Sequence, residues 1–191
     1  PTSDNETDIM HRWEETINAV CDACNTMSRQ KVGALMIFER STPLGDVIAT
    51  GTIVDAQPSY ELINNLFFKN SPLHDGAVIL RDGRIHAAGC VLPLSANFTI
   101  SRELGTRHRA ALGMSENSDA LALVVSEENG KISLAENGVL KRDLSIDELR
   151  SELKNGLIMQ KKAEPRRLNF RLIRKDAAQL RKEADAPDEN A

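Results

Sequence analysis

His74-Asp75-Gly76, inside SPLHDGAVILRDGRIHAAGC, sets an imidazole and a carboxylate side by side at the mouth of an apolar, β-prone run. That pairing suits a divalent cation or removal of a proton from a hydroxyl. Taken alone it is equally an ordinary loop, so it needs partners. The best is GTRHRAALG, Gly105 to Gly113, where Arg107, His108 and Arg109 lead into helix formers behind a permissive residue, Gly105, and a good N-cap, Thr106. Cationic side chains at a helix start oppose the helix dipole and make sense where an anion sits. Free N–H groups and forked guanidinium donors both match phosphate oxygens. A third candidate is VVSEEN, where Glu127 and Glu128 end an apolar strand and could bring a carboxylate to the cation; two adjacent glutamates in a turn are also commonly just solvated. With neither a Gly-Lys-Ser/Thr phosphate loop nor a Rossmann glycine pattern, these segments describe a nucleotide site of another design.

The elements that must position these residues are legible from spacing. Ile9, Trp13, Ile17, Val20, Cys24 and Met27 recur at steps of three and four, which predicts an amphipathic helix ending near Arg29. KVGALMIFE reads as a buried strand and TIVDA as a second, with Pro58 in the first turn of a helix over SYELINNLFFKN. Ala77–Leu80 and Arg84–Leu92 flank Asp82-Gly83 as the arms of a β-hairpin. The earlier Asp75-Gly76 leads into a strand and closes nothing. Asn129-Gly130 and Asn137-Gly138 punctuate LALVVSEENGKISLAENGVL into hairpins or a meander, and Ser145 with Glu148 forms a capping box before a helix stopped near Gly156.

A chain of 191 residues with 27% charged side chains bounds the answer to one domain. The net charge of -4 argues against broad nucleic-acid binding and leaves room for a local anion site. No apolar run approaches the roughly 20 residues of a membrane helix, so this chain reads as soluble. It begins Pro-Thr-Ser-Asp, so a longer parent could carry a segment absent here. Cys21, Cys24 and Cys90 are an odd set that suits a reducing compartment; Cys21 and Cys24 have metal spacing but lack a second pair, and core packing is the better reading. The basic stretch Lys161–Lys175 reads as a solvated edge strand ahead of a disordered tail.

GALMIFER, SPLHDGAVI, AAGCVLPLS, LGTRHRAALGMSENSDA and VVSEENGKIS stand in the order and spacing of diadenylate cyclase domains, which the chain resembles from about Val32 to Leu140. The preceding helix and the FERST continuation look most like the membrane-anchored class, in which a catalytic domain follows transmembrane helices at the cytoplasmic face. The resemblance implies a single α/β domain with a central twisted, mostly antiparallel mixed sheet flanked by α-helices. It also implies condensation of two ATP into cyclic di-AMP with release of two pyrophosphates, assisted by Mg2+ or Mn2+. Carried over by position, Asp75 activates the ribose 3'-hydroxyl, and His74 and Glu128 hold the metal. Gly76 and Ala77 let backbone approach the nucleotide, and Leu92 lies at the adenine. Thr106, Arg107, His108 and Arg109 hold phosphates, with Ser126 beside them. Where many relatives carry an aromatic before Leu-Pro-Leu-Ser, this chain has Val91. The expected division is an amphipathic helix over 1–30, a catalytic domain over 31–175 and a charged tail over 176–191.

One domain offers one nucleotide site, and the product is a twofold ring, so the active species is expected to be a face-to-face homodimer. The alternative is a non-catalytic domain sensing ATP or cyclic di-AMP, which would have no need of the activating carboxylate at Asp75. A metal-dependent phosphohydrolase would need further histidines, and the chain has only His11, His74, His86 and His108.

Overall fold

The computed structural model of the chain describes residues 5–96 and 104–159. Along them run α1 (Glu6–Gln30), β1 (Ala34–Phe38), α2 (Gly45–Ile48), β2 (Thr52–Ala56), α3 (Tyr60–Phe67), β3 (Ala77–Arg81) and β4 (Arg84–Cys90). They are followed by α4 (Thr106–Asn117), β5 (Leu121–Val125), β6 (Ile132–Glu136), β7 (Val139–Lys141) and α5 (Ile146–Lys154), which continues into a π-helical turn, Asn155–Met159. The basic stretch and the tail lie outside the described residues.

The strands form one sheet in the order β2-β4-β3-β1-β5-β6-β7. Only β1 and β3 pair in parallel; the other pairings are antiparallel, as local hairpins require. The central strands are buried on both faces, and their side chains alternate between two cores. Ala34, Met36, Phe38, Leu121, Leu123 and Val125 meet α1, α3 and α5 on one face. Leu35, Ile37, Ala122 and Val124 meet α2 and α4 on the other. The expected mixed, mostly antiparallel sheet between helices is therefore what forms.

Local chemistry explains the turns. Asp82 (φ 49°) and Gly83 (φ 75°) close the β3–β4 hairpin in the left-handed pair that a two-residue turn needs. The tip is held by α1, with the Thr16 hydroxyl donating to the Gly83 carbonyl at 2.7 Å. The Ser145–Glu148 capping box opens α5 as expected. Two helix boundaries differ from the sequence reading. Ser59 is the N-cap of α3, its hydroxyl accepting from the Leu62 N–H, so Pro58 stands before the helix rather than in its first turn. Gly156 does not stop the last helix: a Cβ there would lie 2.6 Å from Leu121 Cδ1, so the glycine serves close packing on β5 while the chain stays helical. The one-turn α2 has no sequence periodicity to announce it.

Candidate active site

Strand register brings the candidate segments to one edge of the sheet. Ala34 pairs with Val125 and Ala77 with Cys90. The amino ends of β1 and β3 therefore lie beside the carboxyl ends of β5 and β4, and whatever precedes or follows them converges. Asp75-Gly76 precedes β3, Val91 and Leu92 follow β4, and Ser126 to Glu128 follow β5. Around Gly89 (φ 68°) β4 carries an extra residue against β3, a bulge that bends the strand at this edge.

A cleft of about 710 Å³ opens there. Its floor is Leu35, Leu92 and Ala110; Asp75, Gly76, Gly89 and Cys90 form one wall, and Thr106, Arg107 and Glu127 the other. Val91 and Leu94 sit at its mouth, 67% and 48% exposed. A smaller recess of about 60 Å³ adjoins it, bounded by Gly105 to His108 and by Val124 to Glu128. Thr106, Arg107 and Glu127 border both.

The start of α4 is built to receive an anion. Helices α1, α3 and α5 have side-chain caps from Asn5, Ser59 and Ser145, whereas the N-cap of α4 is Gly105, which has no side chain to offer. The Thr106 and Arg107 N–H groups border the junction of the two recesses with no capping side chain, while the His108 N–H is taken by the Gly105 carbonyl at 3.1 Å. Thr106, expected as that cap, is instead the first residue of the helix. Opposite, the Ser126 hydroxyl accepts from the N–H groups of Glu128 and Asn129 at 3.2 and 3.4 Å, which leaves its own hydrogen to donate into the recess. The turn is locked to α1: the Ser28 hydroxyl donates to the Gly130 carbonyl at 2.7 Å, and a Cβ on Gly130 would overlap the Ser28 carbonyl oxygen.

The sequence profile of the DAC family, described as DisA bacterial checkpoint controller nucleotide-binding, matches residues 21–140, a span that contains every residue of this site. The chain belongs to the DAC family. It is 48% identical over 147 residues to the cyclic di-AMP synthase CdaA of Bacillus subtilis, covering 77% of this chain and 54% of that protein. It is 44% identical over 150 residues to a diadenylate cyclase of Listeria monocytogenes, covering 78% and 55%. The chain thus spans about half the length of the curated relatives it matches. Among solved structures it resembles a double mutant of DacA from Staphylococcus aureus, with a TM-score of 0.74 and 45% identity over 76% of this chain and 97% of that one. It also resembles a hypothetical membrane spanning protein from Bacillus cereus, with a TM-score of 0.65 and 44% identity over 67% and 63%. No described helix of this DAC chain is long and apolar enough to cross a membrane.

The DAC fold brings most of the expected residues together, and a few it sets aside. Asp75, Gly76, Leu92, Thr106 and Arg107 line the cleft; His108, Ser126 and Glu128 line the recess. Ala77 is fully buried beneath the wall in the α2/α4 core. Arg109 borders neither space: its guanidinium reaches the Ser95 carbonyl at 3.5 Å and its own carbonyl accepts from the Ser95 N–H at 3.0 Å, which ties the start of α4 to the segment after Leu92. Glu127, the neighbour of the expected ligand Glu128, pairs with Arg107 at 2.9 Å. Nothing in the Glu-Glu dipeptide distinguishes the two; the strand end alone decides which carboxylate reaches Arg107.

The fit of a divalent cation to this DAC site can be judged from the donors. Among the described residues no group of three or more His, Cys, Asp and Glu could cage a metal. A hard cation that keeps waters and binds chiefly through substrate phosphates needs no such cage. His74 borders neither the cleft nor the recess; its Nδ1 lies 2.6 Å from the Ser71 carbonyl, an oxygen that can only accept, so Nδ1 carries the hydrogen and Nε2 is the ring nitrogen that could ligate a metal. The cysteines offer no competing metal chemistry, since burial pushes the Cys21 thiol up to about 11 and raises Cys24 and Cys90 as well.

Burial, and secondarily the Arg142 charge, hold His108 below its ordinary value of 6.5, against a smaller opposite pull from Glu128. His108 is therefore neutral near pH 7 and adds a hydrogen bond, not a charge, to the recess. Because the unfolded chain takes up this proton first, the neutral form's contribution to stability is full above about pH 6.5 and is lost as pH falls below it toward the folded value. Urea midpoints measured from pH 7.5 to 5 are expected to fall more steeply in the parent than in His108→Gln; parallel curves would contradict this.

Proposed function

We propose that this chain is a diadenylate cyclase that joins two ATP into cyclic di-AMP and releases two pyrophosphates. The observation that carries the reading is the convergence, in one cleft of a DAC chain, of the Asp75 carboxylate with the uncapped start of α4 and Arg107. The cleft volume falls in the range of a single small-molecule site, roughly 300–1,000 Å³. Adenine lies against Leu35, Leu92 and Leu94, and the triphosphate runs toward Thr106, Arg107 and Ser126. Asp75 accepts the proton of the ribose 3'-hydroxyl as that oxygen bonds to the α-phosphorus of the other nucleotide, and the bond from that phosphorus to pyrophosphate breaks. The first-turn N–H groups and Arg107 stabilise the charge that develops on the leaving pyrophosphate. His74 and Glu128, together with substrate phosphates, would hold a Mg2+ or Mn2+ ion, which would supply further charge neutralisation. A second bond in the opposite sense closes the ring, so two clefts face each other across a twofold axis in a homodimer. Anchoring of a longer parent at a membrane belongs to the same reading, supported by the sequence resemblance and by the Bacillus cereus relative.

Release of one pyrophosphate per ATP, followed with a pyrophosphatase-coupled assay, tests the reading. A sensing domain releases none, and a phosphohydrolase gives phosphate without the coupling enzyme. Arg107→Ala is expected to weaken ATP binding by about 2 kcal/mol, or roughly thirtyfold, the scale of hydrogen bonds to a charged group. Unchanged affinity in calorimetry would remove Arg107 from the phosphate clamp.

A further inference from the structure

We propose that Glu127 is a positioning residue for Arg107, and that Gly33 is the seat against which the pair is held. The inference rests on the cyclase reading for its catalytic consequence and on independent geometry for the contact itself. Arg107 Nη1 lies 2.9 Å from Glu127 Oε2, with the arginine side chain 23% exposed and the glutamate 63% exposed. An ion pair this open contributes little to stability, so its worth lies in orientation. The second observation is the glycine immediately before β1. A Cβ on Gly33 would meet Arg107 Nη1 at 2.6 Å, Arg107 Cζ at 2.8 Å and Glu127 Oε2 at 3.0 Å. Gly33 is not among the positive-φ glycines, so its backbone conformation makes no demand for glycine; the space over its Cα does. The guanidinium and the carboxylate lie together over that bare backbone.

Their location gives the contact its purpose. Arg107 and Glu127 border both the cleft and the recess, so the pair is the partition between the two spaces. The turn that carries Glu127 is fixed from within by the Ser126 hydroxyl and from outside by Ser28 on α1. A carboxylate on a rigid mount engages one end of the guanidinium and leaves Nη2 and Nε to aim at a polyphosphate. An arginine free to sample many rotamers would need to be ordered in the transition state, whereas one already held there does not. Removing the negative charge does not weaken ATP binding by electrostatics, so lost positioning is expected in turnover and not in KM.

Glu127→Gln is expected to lower kcat about tenfold with KM for ATP unchanged within about twofold. Gly33→Ala, which pushes the guanidinium off its seat while Glu127 is intact, is expected to do the same. The double variant is expected to be no worse than either single one, since both act through Arg107. Arginine side-chain NMR, with the Arg107 signal assigned by Arg107→Lys, reads the contact without turnover. It is expected to report a restrained guanidinium in the parent and a freely moving one in Glu127→Gln, with both proteins melting within a few degrees of each other. An Arg107 signal equally restrained in both, a parental kcat in Glu127→Gln, or independent multiplication of the two single effects overturns the proposal. A drop in Glu127→Gln as deep as that of an Asp75 variant also overturns it, by placing the carboxylate among the reacting groups. If Arg107 is restrained by Glu127 yet the parent releases no pyrophosphate, the cyclase reading fails and the positioning contact stands.

Discussion

Asp75→Asn is expected to lower pyrophosphate release by about a thousandfold, while ATP affinity changes by no more than about threefold. Asparagine has the shape of aspartate and keeps a carbonyl oxygen at the mouth of β3, so contacts made by the side chain in the ground state survive. It cannot take a proton. If Asp75 draws the proton from the 3'-hydroxyl as the bond to phosphorus forms, the loss falls on turnover, within the 10²- to 10⁴-fold range typical of a general base. Side-by-side titration calorimetry and single-turnover kinetics separate the two quantities. Equal losses in binding and turnover would make Asp75 a binding group, and an asparagine variant with near-parental turnover would leave the cleft with no base.

The second large effect is structural. Gly76 has φ 98°, and a Cβ built there would lie 2.7 Å from the Cys90 carbonyl oxygen and 2.8 Å from the Gly89 carbonyl carbon. Gly76→Ala therefore meets backbone strain and backbone overlap at once, costing about 2–4 kcal/mol. In a chain of this size that corresponds to roughly 5–15 °C in melting temperature. Relief is possible only by parting β3 from the β4 bulge, which moves the mount of Asp75, so activity is expected to fall with stability. Gly45→Ala is the control: it has no neighbour within 4 Å and no positive φ, and is expected to melt within about 2 °C of the parent. Equal melting of the two variants would show that the approach of Gly76 to Cys90 does not constrain the site.

The two Asp-Gly pairs show what the sequence makes legible. Asp82-Gly83 has apolar arms on both sides, and the turn and its register follow from that pattern alone. Asp75-Gly76 has only one arm, which correctly marks it as something other than a hairpin. Sequence spacing also carries the amphipathic face of α1, the meander of β5 to β7 and the cap of α5. What it does not carry is long-range approach. Gly156 reads as a helix stop because glycine's local preference is visible and the Leu121 side chain packed against it is not. Arg109 reads as a phosphate ligand from its place at the helix start, and its tie to Ser95 is invisible in that spacing. Glu127 and Glu128 look alike until β5 ends and sends one carboxylate to Arg107. Gly33 looks like an ordinary residue before a strand until the guanidinium is found lying over it.

Mass spectrometry of the product over a series of protein concentrations decides whether this chain makes cyclic di-AMP from two facing sites. Purified chain, ATP and either Mg2+ or Mn2+ are predicted to give a ring of two AMP units, at a rate per molecule that rises with protein concentration as dimers form. No dinucleotide at any concentration with either cation, while ATP still binds, would contradict the cyclase and favour the sensing domain. A rate per molecule that stays flat while the chain sediments as a monomer would contradict the facing sites.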